Sequence, residues 1–155
     1  MLALLNLVEY FVDELSLVAN KEMVPGENLP VELDVDFDIS RNSANPCEFY
    51  VSLMVNLNQS EKAFRGNCYK VSLKLSGFFR FDEVVNEENI SAMISHNGLA
   101  MLYGIARATI AQATATSWHG KYLIPGVNFV ELIKQKAEAA SQAKSTKTSK
   151  KAKLK

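Results

Sequence analysis

The sequence predicts an α+β protein: an antiparallel sheet followed by a long helix and a shorter C-terminal helix. Three observations carry this. Residues 31–81 alternate apolar and polar side chains through three runs. Short, turn-rich connectors separate those runs, which implies antiparallel neighbours. From Asn86 the apolar spacing changes from two to the helical period.

Residues 4–18 fit two patterns. Leu4, Val8, Phe11 and Leu15 follow a helix, whereas Leu5, Leu7, Phe11, Leu15 and Leu17 follow a strand interrupted by Glu9 and Asp13. Pattern leaves this element open, so the sheet has three strands, or four if the segment joins it. Pro25 to Pro30 form a loop. In the next strand Val31, Leu33, Val35, Phe37 and Ile39 share one face, and Glu32, Asp34, Asp36 and Asp38 share the other. Arg41 to Pro46 make a turn-rich connector, and Phe49, Val51, Leu53, Val55 and Leu57 repeat the alternation. Asn58 to Lys62 are read as a short hairpin connection. Tyr69, Val71, Leu73 and Leu75 follow, and the phase continues past Gly77 in Phe79 and Phe81. Phe78 shares its face with Lys70, Ser72, Lys74 and Ser76, which makes it a candidate exposed binding contact.

Asn86 or Asn89 can cap the helix, with Glu87 and Glu88 suiting its positive end. Ile90, Met93 and Ile94, then Leu99, Leu102, Tyr103, Ala106, Ile110 and Ala113, form its apolar stripe. Small residues from Ala106 to Ser117 let another element approach closely. Gly120 is expected to end the helix. Lys121 to Val127 read as extended, and Asn128 caps a final amphipathic helix. Two helices cover only part of such a sheet, so the remaining apolar surface must meet another subunit or a ligand.

The zero net charge conceals a split. Residues 144–155 carry six lysines and no acid, and the rest of the chain carries 11 basic and 17 acidic residues. The composition predicts one folded domain over 1–140 and a lysine-rich, disordered tail over 141–155. The tail reads first as a solvating end and second as an electrostatic contact for RNA or lipid headgroups. No apolar run approaches the ~20 residues that span a bilayer, and the acidic residues after the apolar start argue against a signal peptide. Cys47 and Cys68 lack metal or redox spacing and are read as free thiols in a reducing cytoplasm.

No constellation for catalysis emerges. His96 and His119 have no base-and-orienter pattern around them and read as structural. The acid row Glu32, Asp34, Asp36 and Asp38 spreads along a strand face and does not converge on a cation. No phosphate loop, nucleophile elbow or zinc spacing is present. Neither enzyme activity, a cofactor, a metal, membrane insertion nor nucleic-acid binding is expected.

The order of these elements and the residues at their ends resemble the SecB family of bacterial export chaperones. The similar stretches are Tyr10 to Leu17, Val31 to Asp36, Phe49 to Asn58, and Gly77-Phe78-Phe79. Leu102-Tyr103-Gly104-Ile105-Ala106-Arg107 resembles the family's Leu-Phe-Pro-Tyr-Ala-Arg, with glycine for proline. Leu123 to Phe129 resembles its Leu-x-Pro-Val-Asn-Phe signature. The resemblance implies that residues 4–18 are a strand, giving a four-stranded sheet. It implies a homotetramer built as a dimer of dimers, and ATP-independent holding of non-native client polypeptides in apolar grooves. The client is a preprotein for export or a cognate antitoxin, as in toxin–antitoxin systems. By position, Tyr10, Phe11, Leu15, Leu17 and Phe78 are the implied groove residues. Glu14 matches one acid that docks the translocase motor SecA in export members. Val18 replaces another, and Lys70-Val71-Ser72 is not acidic, which sets SecA coupling in question. The alternative is a scaffolding homo-oligomer whose grooves are filled by its own chains.

Overall fold

The computed structural model describes residues 4–23, 29–82 and 86–139, so the lysine-rich tail lies outside the described residues. The chain divides into two compact units at the Ile124–Pro125 bond. The first holds four strands: β1 (Leu5–Ala19), β2 (Leu33–Arg41), β3 (Glu48–Leu57) and β4 (Tyr69–Phe81). They form one antiparallel sheet in the order β1-β4-β3-β2. The alternation of β2, β3 and β4 is realised in their register: Ile39, Val51 and Gly77 are cross-strand neighbours on one face, as are Phe37, Leu53 and Leu75.

The connector from β3 to β4 is longer than a hairpin turn. It contains a short helix, α1 (Glu61–Arg65), whose cap Ser60 accepts a hydrogen bond from Ala63 N–H at 3.2 Å. A serine before Glu61 is a helix-start signal, and it prevails here over the hairpin reading. The left-handed Asn58 (φ 51°) begins this excursion. Its side chain accepts from Glu32 N–H at 3.0 Å and donates to Tyr69 O at 2.9 Å, and its own N–H donates to Glu32 O at 2.7 Å. One buried amide thereby ties the entry to β2, the end of β3 and the start of β4.

Glu32 closes the same corner, its carboxylate accepting from Ser60 N–H at 2.9 Å. That backbone hydrogen bond holds its pKa below the ordinary carboxylate value. A depressed folded-state pKa adds stability above the unfolded pKa, and the contribution is lost as pH falls through the folded value. Acid unfolding of Glu32→Gln followed by circular dichroism should therefore show a shallower loss of stability below about pH 5 than the parent.

The helical stretch begins with α2 (Glu87–Met93), capped by the Asn86 side chain accepting from Glu88 N–H. A π-helical turn, Ile94–Gly98, joins it to α3 (Leu99–Thr114). The sequence pattern runs through this turn as one stripe. The π turn rotates the stripe, and an added Cβ at Gly98 would stand 3.1 Å from Ile94 Cδ1 and 3.7 Å from Phe79. α3 stops at Thr114, ahead of Gly120. The buried Thr114 hydroxyl donates to Ile110 O at 2.8 Å and accepts from Tyr122 N–H at 2.9 Å, which turns the chain back along α3. Gly120 takes a φ of 71° within that return. Burial pushes the Tyr122 phenol above its ordinary pKa.

Val51, Leu53, Leu73 and Leu75 of the sheet and Leu99, Leu102 and Ile110 of α3 form a fully buried core. α3 packs closely on the sheet at Gly77, where a Cβ would lie 2.8 Å from Leu102 Cδ2. We call the helix-facing side of the sheet inner and the opposite side outer. The second unit contains a helix over residues 129–139, capped by Asn128 Oδ1 accepting from Val130 and Glu131 N–H at 3.1 and 3.4 Å.

Candidate polypeptide-binding surface on the first strand

Among the described residues β1 is an edge strand of the sheet, paired with β4 on one side. Two β-bulges interrupt it, between Leu7 and Glu9 and between Val12 and Glu14. Each inserts a residue and reverses which face the following side chains take. Leu5 and Leu7 lie opposite Phe81 and Phe79 on the inner face, and after both bulges Leu15 and Leu17 lie opposite Leu73 and Val71 on the same face. Between the bulges the phase is inverted. Tyr10 and Val12 face inward opposite Gly77 and Leu75, and Glu9 and Phe11 face outward opposite Phe78 and Ser76. This explains the mixed periodicity of the segment. The inner residues 5, 7, 10, 12, 15 and 17 advance by two and sometimes by three, so neither a helix nor a regular strand fits them.

The inner stripe is uncovered. Tyr10, Val12 and Leu15 are 40–48% exposed, and Leu17 is partly buried. α3 crosses the sheet above Gly77 of β4 and leaves these side chains outside the core. An aliphatic and aromatic row beside an open strand edge suits an extended polypeptide, which can pair its backbone with the edge and place alternate side chains on the row.

The five groove candidates therefore divide. Tyr10, Leu15 and Leu17 lie on the inner face, and Phe11 and Phe78 on the outer. Phe11 and Phe78 are brought together, with ring centroids 6.3 Å apart at 85°. Tyr50 of β3 joins them, 5.3 Å from Phe78. Its hydroxyl shares a hydrogen bond of 2.9 Å with Ser76 Oγ, and Ser76 bonds the Asp13 carboxylate. Sequence reasoning missed Val12, because the bulges hid its face, and Tyr50. The latter had a signal: it interrupts the otherwise non-aromatic outer row Glu48, Ser52, Met54 and Asn56, as Phe78 does on β4. Glu14 points outward opposite Lys74, and Val18 lies opposite Lys70.

A second apolar surface lies on α3. Gly104, Ala108, Ala111 and Ala115 line a cleft of about 450 Å3 with Leu123. The small residues that predicted close approach of another element leave Gly104 with no atom within 4 Å of an added Cβ.

His119 N–H donates to Tyr69 Oη at 3.0 Å, and its ring bonds Asn20 O at 2.7 Å, fastening the return segment to the sheet. His96 sits in the π turn. Among the described residues no group of three or more His, Cys, Asp or Glu is placed to hold a metal ion, and no helix is long and apolar enough to cross a membrane. Asp34, Asp36 and Asp38 occupy exposed outer positions of β2.

The class so defined is a small α+β protein with a four-stranded antiparallel sheet, α2 and α3 on one face of it, and an open apolar edge strand. Residues 3–140 match the family described as preprotein translocase subunit SecB, and the chain belongs to the SecB family. Among solved structures it is similar to the Mycobacterium tuberculosis Rv1957 SecB-like chaperone, determined in complex with a ChAD peptide from the Rv1956 HigA1 antitoxin. The two are 13% identical with a TM-score of 0.61, covering 80% of this chain and 91% of that one, a likeness of fold. No curated protein sequence matches the chain.

Proposed function

We propose that this protein is a cytoplasmic, ATP-independent holdase that binds non-native client segments along β1. The observation that carries the reading is the inner stripe Tyr10, Val12 and Leu15, exposed beside an unpaired strand edge. Leu17 extends the stripe, and Phe11 and Phe78 add contacts on the other face. The domain spans residues 1–140 and assembles as a homotetramer, with the small-residue face of α3 available for packing against a second copy. The unpaired Cys47 and Cys68 agree with a reducing compartment. Of the two client classes, an antitoxin is favoured over an export preprotein. Val18 and Lys70 are cross-strand neighbours where export members carry docking acids, and only Glu14 remains. Binding to the zinc-bearing C-terminal tail of SecA would reverse that choice.

At a stoichiometric ratio and low salt, the protein should suppress aggregation of a chemically denatured client in a light-scattering assay. Undiminished scattering would remove the holdase reading and leave the scaffolding oligomer. Leu15→Asp should weaken client binding by roughly tenfold or more, since burying a leucine side chain is worth about 1.5–3 kcal/mol. Mass measurement of the variant in parallel separates lost client contact from lost assembly.

A further inference from the structure

The phase-inverted window of β1 has a consequence on the outer face. Without its two bulges, a strand in phase with Leu5 and Leu7 would turn Val8, Tyr10 and Val12 outward and bury Glu9 and Phe11 against the helices. The bulges do the opposite. They set Glu9 opposite Phe78 and place Phe11 beside it, and the next strand contributes Tyr50 opposite Phe78. Glu9, Phe78 and Tyr50 thus stand in one cross-strand row. Bulges re-aim side chains at binding sites, and here two of them bracket the residues in question.

The site is built rather than merely exposed. Phe78 is held between Phe11, edge-on, and Tyr50, tilted by 59°. Tyr50 is fixed from beneath by the nearly buried Ser76, which also bonds Asp13. A cleft of about 440 Å3 opens beside Phe78 and Tyr50, lined by Glu9, Ser40, Arg41 and Arg80 among others, with Phe11 outside its wall; Arg41 is engaged by Glu87 at 3.0 Å. Arg80 is engaged by Glu48 at 3.5 Å. Among the described residues no cation is within ion-pairing distance of Glu9. The surrounding face is acidic as well: Asp34, Asp36 and Asp38 of β2 and Glu14 of β1 share it, against Lys70, Lys74 and Arg80.

We propose that Glu9, Phe11, Tyr50 and Phe78 form a subsite for the guanidinium of an arginine side chain presented by a bound polypeptide. Aromatic faces attract a cation through their quadrupole, and Glu9 supplies the counter-charge. Guanidinium fits better than ammonium because it is planar, stacks on rings and is less strongly hydrated. An apolar partner residue would leave the carboxylate unanswered. The subsite depends on the holdase reading only in assigning the arginine to a client chain.

The test titrates the full-length protein with N-acetyl-arginine amide, and separately with its citrulline, lysine and leucine counterparts, followed by aromatic NMR. The arginine probe should shift the Phe11, Phe78 and Tyr50 ring signals saturably at millimolar concentration, and neutral, isosteric citrulline should bind several-fold more weakly. Glu9→Gln should weaken arginine by roughly two- to fivefold, the scale of one exposed ion pair or cation–π contact, and leave citrulline unchanged. Phe78→Leu, a half-exposed position, should weaken it similarly with the fold intact by circular dichroism. Equal binding of citrulline or leucine, tighter binding of lysine, or shifts away from the three rings would each overturn the proposal. The probe needs no client, so failure of the light-scattering assay and failure of this site are separate results.

Discussion

Asn58→Leu should lower the stability of this protein by about 3 kcal/mol or more. Three costs combine. Asn58 adopts φ 51°, a left-handed conformation that asparagine tolerates and leucine does not, worth about 1–2 kcal/mol. Its side chain satisfies Glu32 N–H and Tyr69 C=O, and removing it leaves both without that partner. Asn58 is only 1% exposed, so water cannot replace the lost bonds, and each unsatisfied group costs about 1–3 kcal/mol. Asn58→Gly separates the terms. It accepts the backbone conformation and loses only the hydrogen bonds, so it should fall between the parent and the leucine variant. Urea midpoints at one protein concentration measure this. A glycine variant as unstable as the leucine variant would assign the whole effect to the hydrogen bonds.

Gly77→Ala should cost about 1–3 kcal/mol, as expected for overpacking a dense core. The added Cβ would stand 2.8 Å from Leu102 Cδ2 and 3.0 Å from Phe79 Cε2. Both neighbours are essentially buried, at 0% and 1% exposure, and have no room to yield. Leu102→Ala alone should cost about 2–5 kcal/mol by opening a cavity. The combination should be less destabilising than the sum, because the new methyl fills part of the space that Leu102 vacates. Strict additivity in urea denaturation would mean that the glycine is not what lets α3 approach. The prediction also bears on binding. The crossing at Gly77 seats α3 over β4 and leaves Tyr10, Val12 and Leu15 uncovered, so a displaced helix should change client affinity as well as stability.

Much of this molecule is legible in the amino-acid order. Alternation assigns the inner and outer faces of β2, β3 and β4, because the side-chain period of a strand is a local property. Caps at Asn86 and Asn128 locate two helix starts for the same reason: a side chain bonds a backbone group a few residues away. Phe78 announces itself as an aromatic among polar neighbours. Residues 4–18 are a strand, as the SecB resemblance implies and pattern alone leaves open. The short helix at Glu61 is a miss of a different kind, since the Ser60 cap was readable and the hairpin reading overlooked it.

The sequence by itself determined the faces of β2, β3 and β4, two of the helix starts and the family. Tertiary structure decided which apolar residues are left exposed. A bulge exists only relative to the strand beside it, so the inversion of Glu9, Tyr10, Phe11 and Val12 depends on pairing with β4 and not on any local pattern. Exposure depends on where a helix lands, and α3 lands at the one position of β4 without a side chain. Tyr10 and Phe11, adjacent in sequence and alike in chemistry, are thereby sent to opposite faces of the sheet.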